Sequence, residues 1–395
     1  MISSQDALTL LHASFSTPRV LHLMRCSPSV DNYALISFDD TLRSAFTHIT
    51  NSDVSDTQWL QASLPVKDGG LGIRRAASLA LPAFLASAAS TSSLQDSILA
   101  LIPCPSDSFF DTYLQSWSSS FGCSIPTDSL SSKQSFWDRP GVLQDRAIVE
   151  AGLRNSEDRA RFLAAASPHS GDWLHALPIA ACGLRLDDEA VRVAVGLRLG
   201  INLCVPHTCR CGAEVDARGL HGLTCKLAPG RIARHQVLND LVSRAFASAS
   251  IPVTKEPVGL LRSDGKRPDG LTLVPWQSGK PLTWDVTVTH TLAASYLSSS
   301  AREAGAAAEL AANRKSAKYA DLPQSHLFQP IALETLGSMN SSTVSFFSDL
   351  SRRISTVSGD IRESSYLFQR IAITIQRFSS VLFGDSFLPG DDFDF

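Results

Sequence analysis

The chain has 395 residues, of which 44% are hydrophobic and 18% charged, a composition that predicts two or three folded domains and excludes a disordered protein. A net charge of −3 excludes nucleic-acid binding through overall positive charge, so such binding requires local basic patches. No apolar run reaches about 18 residues, so we expect no membrane-spanning helix. Asp6, His12 and Arg19 lie where a secretory signal needs an apolar core, so we expect an intracellular protein.

The first 200 residues predict helices without a catalytic constellation. Apolar residues recur near helical spacing from position 5 to position 25, with an interruption at Pro18. Asp39 and Asp40 are similar to the aspartate pair of reverse transcriptases, but we interpret them as the cap and first turn of a helix that ends near position 49. Further helices are predicted up to position 90, within an aromatic linker at 91–135, and at 145–166 and 187–199.

Four of the eight cysteines lie between positions 204 and 225. Cys209 and Cys211 form a CxC pair, and His221 and Cys225 form an HxxxC pair further along. Zn²⁺ prefers four nitrogen or sulfur ligands in a tetrahedron, and two short-spaced pairs supply them. A set of buried free cysteines does not account for this spacing. We therefore predict a structural zinc site, with Cys204 or His207 as an alternative source of one ligand.

A second candidate site follows a predicted helix at 231–248 and a short strand at 253–256. Two strand-like runs cover 271–276 and 282–288, with a Gln-Ser-Gly turn between them. Asp269 lies just before the first run and Asp285 lies inside the second. A carboxylate in a buried strand is costly unless a cation or hydrogen bonds hold it. Two such carboxylates from adjacent strands are typical of a Mg²⁺ site for phosphodiester chemistry.

The rest of the chain completes this predicted core. Four predicted elements follow the strands: a helix at 301–319, an apolar run at 327–336, and helices at 345–357 and 364–379. The order helix, strand, strand, strand, helix, strand resembles that of the restriction-endonuclease core. Glu256 is a candidate third acid, and the alternative is an ordinary surface pair with Lys255 or Arg262.

Basic residues outnumber acidic ones around positions 226–267. Arg231, Arg234, Lys266 and Arg267 are the candidate contacts to a DNA backbone. Lys266 and Arg267 precede Pro268, which restricts the backbone just before Asp269. A solvated charged surface is the alternative interpretation.

Residues 204–335 resemble the C-terminal part of the early-branching non-LTR retrotransposon polyproteins that carry a restriction-like endonuclease. The resemblance rests on the Cys/His motif, on Arg267-Pro268-Asp269 and on Asp285, and Leu64-Pro65 with the Gly-rich turn at 69–74 extends it toward the N-terminus. Asp285-Val286-Thr287 lacks the lysine of the (Asp/Glu)-x-Lys motif. The family places that lysine on the following helix, where this chain has Lys315 and Lys318. The polymerase itself is missing.

The resemblance implies an α+β fold with a helical N-terminal half, a small zinc knuckle, and an α/β restriction-endonuclease-like PD-(D/E)xK core with C-terminal helices. The implied regions are 1–100 (post-polymerase-like helices), 101–200 (helical linker), 201–229 (CCHC zinc knuckle), 230–340 (endonuclease core) and 341–395 (C-terminal helices).

The implied function is a Mg²⁺-dependent DNA endonuclease that nicks target DNA to prime reverse transcription. Asp269 and Asp285 would hold Mg²⁺, and Lys315 or Lys318 would orient the attacking water or neutralise developing charge. DNA is the expected partner, element RNA is a further candidate, no membrane is expected, and the nucleus is the expected location. The alternative is a nucleic-acid-binding fragment of a reverse-transcriptase-type polyprotein without nuclease activity.

Overall fold

The computed structural model describes residues 2–99, 108–126, 131–260 and 265–388. The fold is mixed α+β and mainly helical, with a small mixed sheet in the C-terminal half. The helices are α1 Ser4–Leu10, α2 Leu21–Cys26, α3 Tyr33–Thr50, α4 Asp56–Ser63, α5 Ala76–Leu99, α6 Ser108–Phe121, α7 Gln134–Ala151, α8 Ser156–Ala165, α9 Asp188–Leu199, α10 Gly230–Ser248, α11 Ala294–Ser300, α12 Ala306–Lys318, α13 Ser341–Ser358 and α14 Glu363–Gly384. The strands are β1 His207–Thr208, β2 Glu214–Val215, β3 Val253–Lys255, β4 Gly270–Thr272, β5 Leu282–Thr289 and β6 Leu327–Glu334.

The larger sheet has the strand order β3-β4-β5-β6. β3, β4 and β5 pair antiparallel, whereas β6 pairs parallel with β5 along its whole length. Parallel neighbours require a crossover connection, which α11 and α12 supply. The predicted order of helix, three strands, helical connection and strand is therefore present from α10 to β6.

Three predicted elements have different boundaries in the structure. β4 stops at Thr272, because the Thr272 hydroxyl donates to the Val274 carbonyl and accepts the Leu282 N–H, which replaces further pairing with a turn. The helix predicted at 301–319 begins only after Gly305, whose φ of 81° is left-handed and favours glycine. The helix predicted at 145–166 is divided between α7 and α8 at Gly152.

Asp39 does not begin the helix in which it lies. α3 begins at Tyr33, with Asn32 as its cap. Asp39 is buried within α3, and its carboxylate accepts the N–H groups of Ala76 (2.6 Å) and Ala77 (3.1 Å) at the start of α5. Burial raises the pKa of this carboxyl group. Asp39 therefore caps a helix, but the capped helix is α5 and not its own.

The C-terminal helix α14 contributes to the three largest hydrophobic clusters. Leu367 and Ile371 pack with α10, β5 and β6. Ile373 packs with the N-terminal helices and α9, and Phe383 packs with α8 and the Cys/His segment. The broad apolar face of a helix is stable only when other elements cover it. The five sequence regions thus share core contacts through α14, and their boundaries stay predictions.

Among the described residues, one helix, α5, is long and apolar enough to cross a membrane by length and composition alone. Core helices of soluble proteins meet the same criterion, and one third of the most apolar part of α5 is buried. α5 packs against α2, α3 and α7. The expectation that no helix spans a membrane therefore stays a prediction.

His290, directly after β5, is a buried histidine whose protonation the fold opposes. Its Nδ1 lies 2.7 Å from the Thr335 hydroxyl. Burial, with a smaller contribution from the charge of Arg234, lowers the pKa of His290 from 6.5 to about 3. Between these two values the unfolded chain binds a proton that the folded chain does not bind. The destabilising effect of His290 is therefore absent above pH 6.5 and grows as the pH falls toward 3.

We expect acid to destabilise the wild-type protein more than a His290→Gln variant. At pH 5 the unfavourable contribution of His290 is about 2 kcal/mol relative to pH 7.5. Urea unfolding at pH 5, 6 and 7.5 measures this difference, and His48→Gln, an exposed histidine on α3, should follow the wild type. Parallel stability profiles for wild type and His290→Gln would contradict the prediction.

Candidate metal centres

The four predicted zinc ligands converge at one point. Cys209, Cys211, His221 and Cys225 each offer a ligand atom, and these atoms all lie within 4.8 Å of one another. Cys209 Sγ lies 3.8 Å from Cys225 Sγ, and Cys211 Sγ lies 3.1 Å from His221 Nε2. The cluster therefore has the Cys₃His composition that suits a structural metal site.

Two short turns bring these ligands together. β1 and β2 form an antiparallel hairpin, and in its turn Gly212, with a left-handed φ of 84°, donates its N–H to the Cys209 carbonyl. In the second turn, the Cys225 N–H donates to the His221 carbonyl at 2.9 Å. This helical spacing places residues four positions apart on one side. A hydrogen bond from the Ala213 N–H lowers the pKa of Cys211 to about 7, which favours the thiolate form that binds metals.

The two alternative ligands lie outside this cluster. Cys204 Sγ is 3.3 Å from the Asp216 carbonyl oxygen, to which it donates. His207 stacks on Phe387 with ring centroids 4.1 Å apart, and its Nε2 lies 3.1 Å from the Ser386 hydroxyl. Both side chains thus have other partners.

Asp269 and Asp285 lie side by side on adjacent strands. Gly270 pairs with Trp284 in the register of β4 and β5. The Asp269 N–H donates to the Trp284 carbonyl at 2.9 Å, and Asp269 Oδ2 accepts the Val286 N–H at 2.6 Å. A Cβ atom at Gly270 would lie 2.0 Å from the Trp284 ring, so only glycine permits this close pairing. The backbone therefore fixes the Asp269 carboxylate beside β5.

Asp285 is balanced by lysines from the last turn of α12. Its side chain is only 4% exposed, and Lys315 Nζ lies 2.5 Å from Asp285 Oδ1. Lys318 Nζ is further away, 3.9 Å from Asp285 Oδ2, and it donates to the Tyr319 hydroxyl at 3.0 Å. Of the two predicted lysines, Lys315 therefore makes the direct hydrogen bond with the buried carboxylate.

A buried acid at the end of β6 fixes the start of the same helix. Glu334 is fully buried, and its Oε1 accepts the Ala308 N–H at 3.0 Å. Burial raises the pKa of Glu334, while bonds from Ala308, Thr291 and Ala307 oppose that rise. Carboxylates at helix N-termini are stabilising because the terminal N–H groups carry partial positive charge. Glu334 thereby ties α12, and with it Lys315, to the sheet.

The sequence analysis missed one member of this site. His235, on α10, lies with its Nε2 3.1 Å from Asp269 Oδ2. Donor atoms of His235, Asp269 and Asp285 all lie within 4.8 Å of one another. The hydrogen bond with Asp269 raises the pKa of His235. The signal in the sequence was the pair His235 and Asn239, polar residues one helical turn apart on a helix expected to cover the sheet.

Glu256 lies outside the cluster of donors. Its side chain is 62% exposed and forms an ion pair with Arg267. Lys255, one of the partners proposed from sequence, pairs instead with Asp240. Arg262, the other, lies outside the described residues. The third donor near Asp269 and Asp285 is therefore His235 and not Glu256.

The four predicted DNA contacts have different environments. Arg231 and Lys266 are exposed and Arg267 is partly exposed, but Arg234 is buried with 4% exposure. Arg234 lies one helical turn from Leu238, on the face of α10 that packs in the core. Burial lowers the pKa of Arg234 to about 10. The prediction that Arg234 lies on a DNA-facing surface is therefore wrong.

Comparisons with known proteins give no further guide to this site. Neither a scan against models of protein families nor a search of curated proteins found a match to this chain. The functional argument therefore depends on the geometry and chemistry of the two clusters.

Proposed function

We propose that this protein is a metal-dependent DNA endonuclease of the restriction-like PD-(D/E)xK type, derived from a retroelement, that nicks target DNA to prime reverse transcription. The observation that carries the proposal is the convergence of Asp269, Asp285 and Lys315 at β4 and β5. The element order from α10 to β6, with its parallel β5–β6 pair, supports the same interpretation. A nuclear location, and element RNA as a second nucleic acid, belong to this proposal.

The donor set suits a divalent cation. Asp269 and Asp285 supply carboxylate oxygens, the ligands that Mg²⁺ prefers. A nearly buried carboxylate such as Asp285 is costly without positive charge beside it. When bound, a divalent cation supplies the charge that polarises a phosphate and favours loss of a proton from water.

The protein's own groups fix the positions of the two carboxylates. Lys315 donates to Asp285, so it holds that carboxylate in one orientation. The ammonium group also places positive charge where negative charge develops on a phosphate under attack. The backbone N–H of Val286 holds Asp269 in place without contributing charge.

Zinc is the proposed occupant of the Cys₃His cluster. Two sulfur ligands about 2.3 Å from one Zn²⁺ in a tetrahedron lie about 3.8 Å apart. The Cys209–Cys225 sulfur distance is 3.8 Å. A zinc there would hold the hairpin against α14, whose Phe383 contacts Gly219, and would have a structural role.

We expect Lys315→Ala to reduce nicking of supercoiled plasmid by about a hundredfold, because loss of a pre-positioned charge at the reacting phosphate costs that much. Lys318→Ala should cost less than about tenfold, because Lys318 is 3.9 Å from Asp285 and is held by Tyr319. Gel quantification of relaxed and supercoiled plasmid measures both. Equal, mild losses would mean that both lysines only contact phosphate. A wild-type protein that nicks with neither Mg²⁺ nor Mn²⁺ would reject the endonuclease proposal.

Binding of nucleic acid without cleavage is the second candidate function. Exposed cations next to the acid cluster favour it, because Arg231 and Lys266 are exposed and Arg267 is partly exposed. Such side chains release counterions from DNA regardless of catalysis.

The double variant Lys266→Ala, Arg267→Ala should therefore bind DNA more weakly and with a flatter salt dependence. The slope of log K against log [salt] should decrease by about 2, close to one unit for each lost phosphate contact. Fluorescence anisotropy between 50 and 200 mM salt, the range in which such slopes are resolved, measures it. Arg352→Ala with Arg362→Ala, exposed arginines outside both clusters, is the matched control. An unchanged slope would assign Lys266 and Arg267 to ordinary solvated surface.

A further inference from the structure

The orientation of His235 toward Asp269 is fixed by the residue one helical turn away. Asn239 is buried, and its Oδ1 accepts the Trp284 indole N–H at 2.9 Å. Its Nδ2 donates to the Asp269 carbonyl at 3.4 Å. These two bonds set the rotation of α10 relative to β4 and β5. His235 therefore faces the acid cluster because of the packing of α10, independently of its own hydrogen bond.

The distance between His235 and Asp269 suits two ligands of one ion. Two donor atoms about 2.1 Å from an octahedral cation, at right angles to each other, lie about 3.0 Å apart. His235 Nε2 and Asp269 Oδ2 are 3.1 Å apart. Without a cation, the imidazole N–H of His235 donates to Asp269 Oδ2 and holds the same two atoms together, so the site is formed in advance. Asp285, within 4.8 Å of both, supplies the third donor.

The net charge of this site attracts divalent cations only weakly, so the types of donor atom decide which cation it prefers. Two carboxylates face two lysine ammonium groups, with Lys315 in direct contact and Lys318 at 3.9 Å. A neutral imidazole adds no negative charge to attract a hard cation. It does add a nitrogen donor, and imidazole favours first-row transition metals, whereas Mg²⁺ favours all-oxygen sets. Mn²⁺ takes the same carboxylate and water oxygens as Mg²⁺, and as a first-row transition ion it gains more from an added nitrogen donor.

We propose that His235 is a third metal ligand, with Asp269 and Asp285, and that this donor set selects Mn²⁺ over Mg²⁺. The catalytic consequence rests on the proposed function, whereas metal binding tests the donor set independently. The 395-residue chain, prepared without chelators so that any metal at the Cys/His cluster is kept, is titrated with Mn²⁺ and with Mg²⁺. Mn²⁺ binding is followed by the electron paramagnetic resonance signal of free Mn²⁺, and Mg²⁺ binding by calorimetry.

We expect one Mn²⁺ site that binds at least tenfold more tightly than Mg²⁺. His235→Gln should weaken Mn²⁺ binding tenfold or more and change Mg²⁺ binding less than threefold. His48→Gln should bind as the wild type does. Asp285→Asn should also lose the Mn²⁺ site, which shows that the Cys/His cluster is not its source. Equal Mn²⁺ affinity in wild type and His235→Gln would overturn the inference.

A carboxylate at the same position should remove the selectivity for Mn²⁺. His235→Glu creates an all-oxygen set, so its ratio of Mn²⁺ to Mg²⁺ affinity should fall at least tenfold. If the protein nicks DNA, the wild-type rate with Mn²⁺ should exceed the rate with Mg²⁺. The ratio of these two rates should be smaller in His235→Glu. His235-dependent Mn²⁺ binding without any nicking would support the donor set and reject the endonuclease. Nicking at equal rates with both metals, unaffected by His235→Gln, would support the endonuclease and reject the proposed donor set.

Discussion

Asp285→Asn should reduce DNA nicking by at least about a thousandfold while DNA binding stays intact. The carboxylate is both a candidate metal ligand and the partner of Lys315, and an interaction worth several kcal/mol corresponds to a factor of that size. Asp269→Asn should have a similar effect. Binding should persist or strengthen in both variants, because each removes negative charge beside the proposed path of the DNA backbone.

Loss of folding is the main competing explanation for such a result. Asp285→Asn leaves the ammonium group of Lys315 next to a neutral side chain. The Lys315 side chain is three quarters buried, and an unpaired buried charge is destabilising. The double variant Asp285→Asn, Lys315→Met removes both charges. It should unfold closer to the wild-type temperature than Asp285→Asn and still fail to nick.

Glu256→Gln is the matched control among the candidate acids. The Glu256 side chain is exposed and pairs with Arg267 instead of with a donor of the cluster. We therefore expect its nicking rate to stay within about threefold of the wild type, as is usual for an exposed ion pair. A loss as large as that of Asp285→Asn would return Glu256 to the site and would contradict the arrangement of ligands described above.

The second large effect is expected at the Cys/His cluster. We expect one tightly bound zinc per chain by elemental analysis, and Cys211→Ser should lower that content sharply. A structural zinc contributes on the order of 10 kcal/mol to the folding of the segment that binds it. The amide hydrogens of segment 204–228 should therefore exchange faster in Cys211→Ser. Those of α3 and α5, which lie in other clusters, should stay protected.

The structure extends this prediction to one neighbouring element. A Cβ atom at Gly219 would lie 2.2 Å from the Phe383 ring, so the knuckle lies directly against the C-terminal end of α14. Hydrogen exchange should therefore also rise near Phe383. Cys26→Ser, an exposed cysteine on α2, and Cys204→Ser, outside the ligand cluster, should both retain zinc. A wild-type protein without zinc, or zinc loss in Cys204→Ser, would contradict the assignment.

Local features of the structure were predictable from the sequence. The candidate metal ligands occur in two short pairs, and a tight turn brings together residues that are close in the chain. Cys209, Cys211, His221 and Cys225 could therefore be selected from spacing alone. The order of elements from α10 to β6 followed from periodicity, which is also a local property. The position of Asp285 within a buried strand followed from its apolar neighbours.

Contacts between distant segments were decided only by the tertiary structure. Whether an arginine of α10 faces solvent or core depends on the rotation of that helix against the sheet, and this rotation buries Arg234 and directs His235 to Asp269. The choice of Lys315 over Lys318 depends on how α12 is set by Glu334 at its other end. Sequence periodicity identifies which residues share a face, but the partner of that face is chosen by packing across the whole fold. For that reason the sequence identified two acids and four candidate metal ligands, and the fold added the histidine.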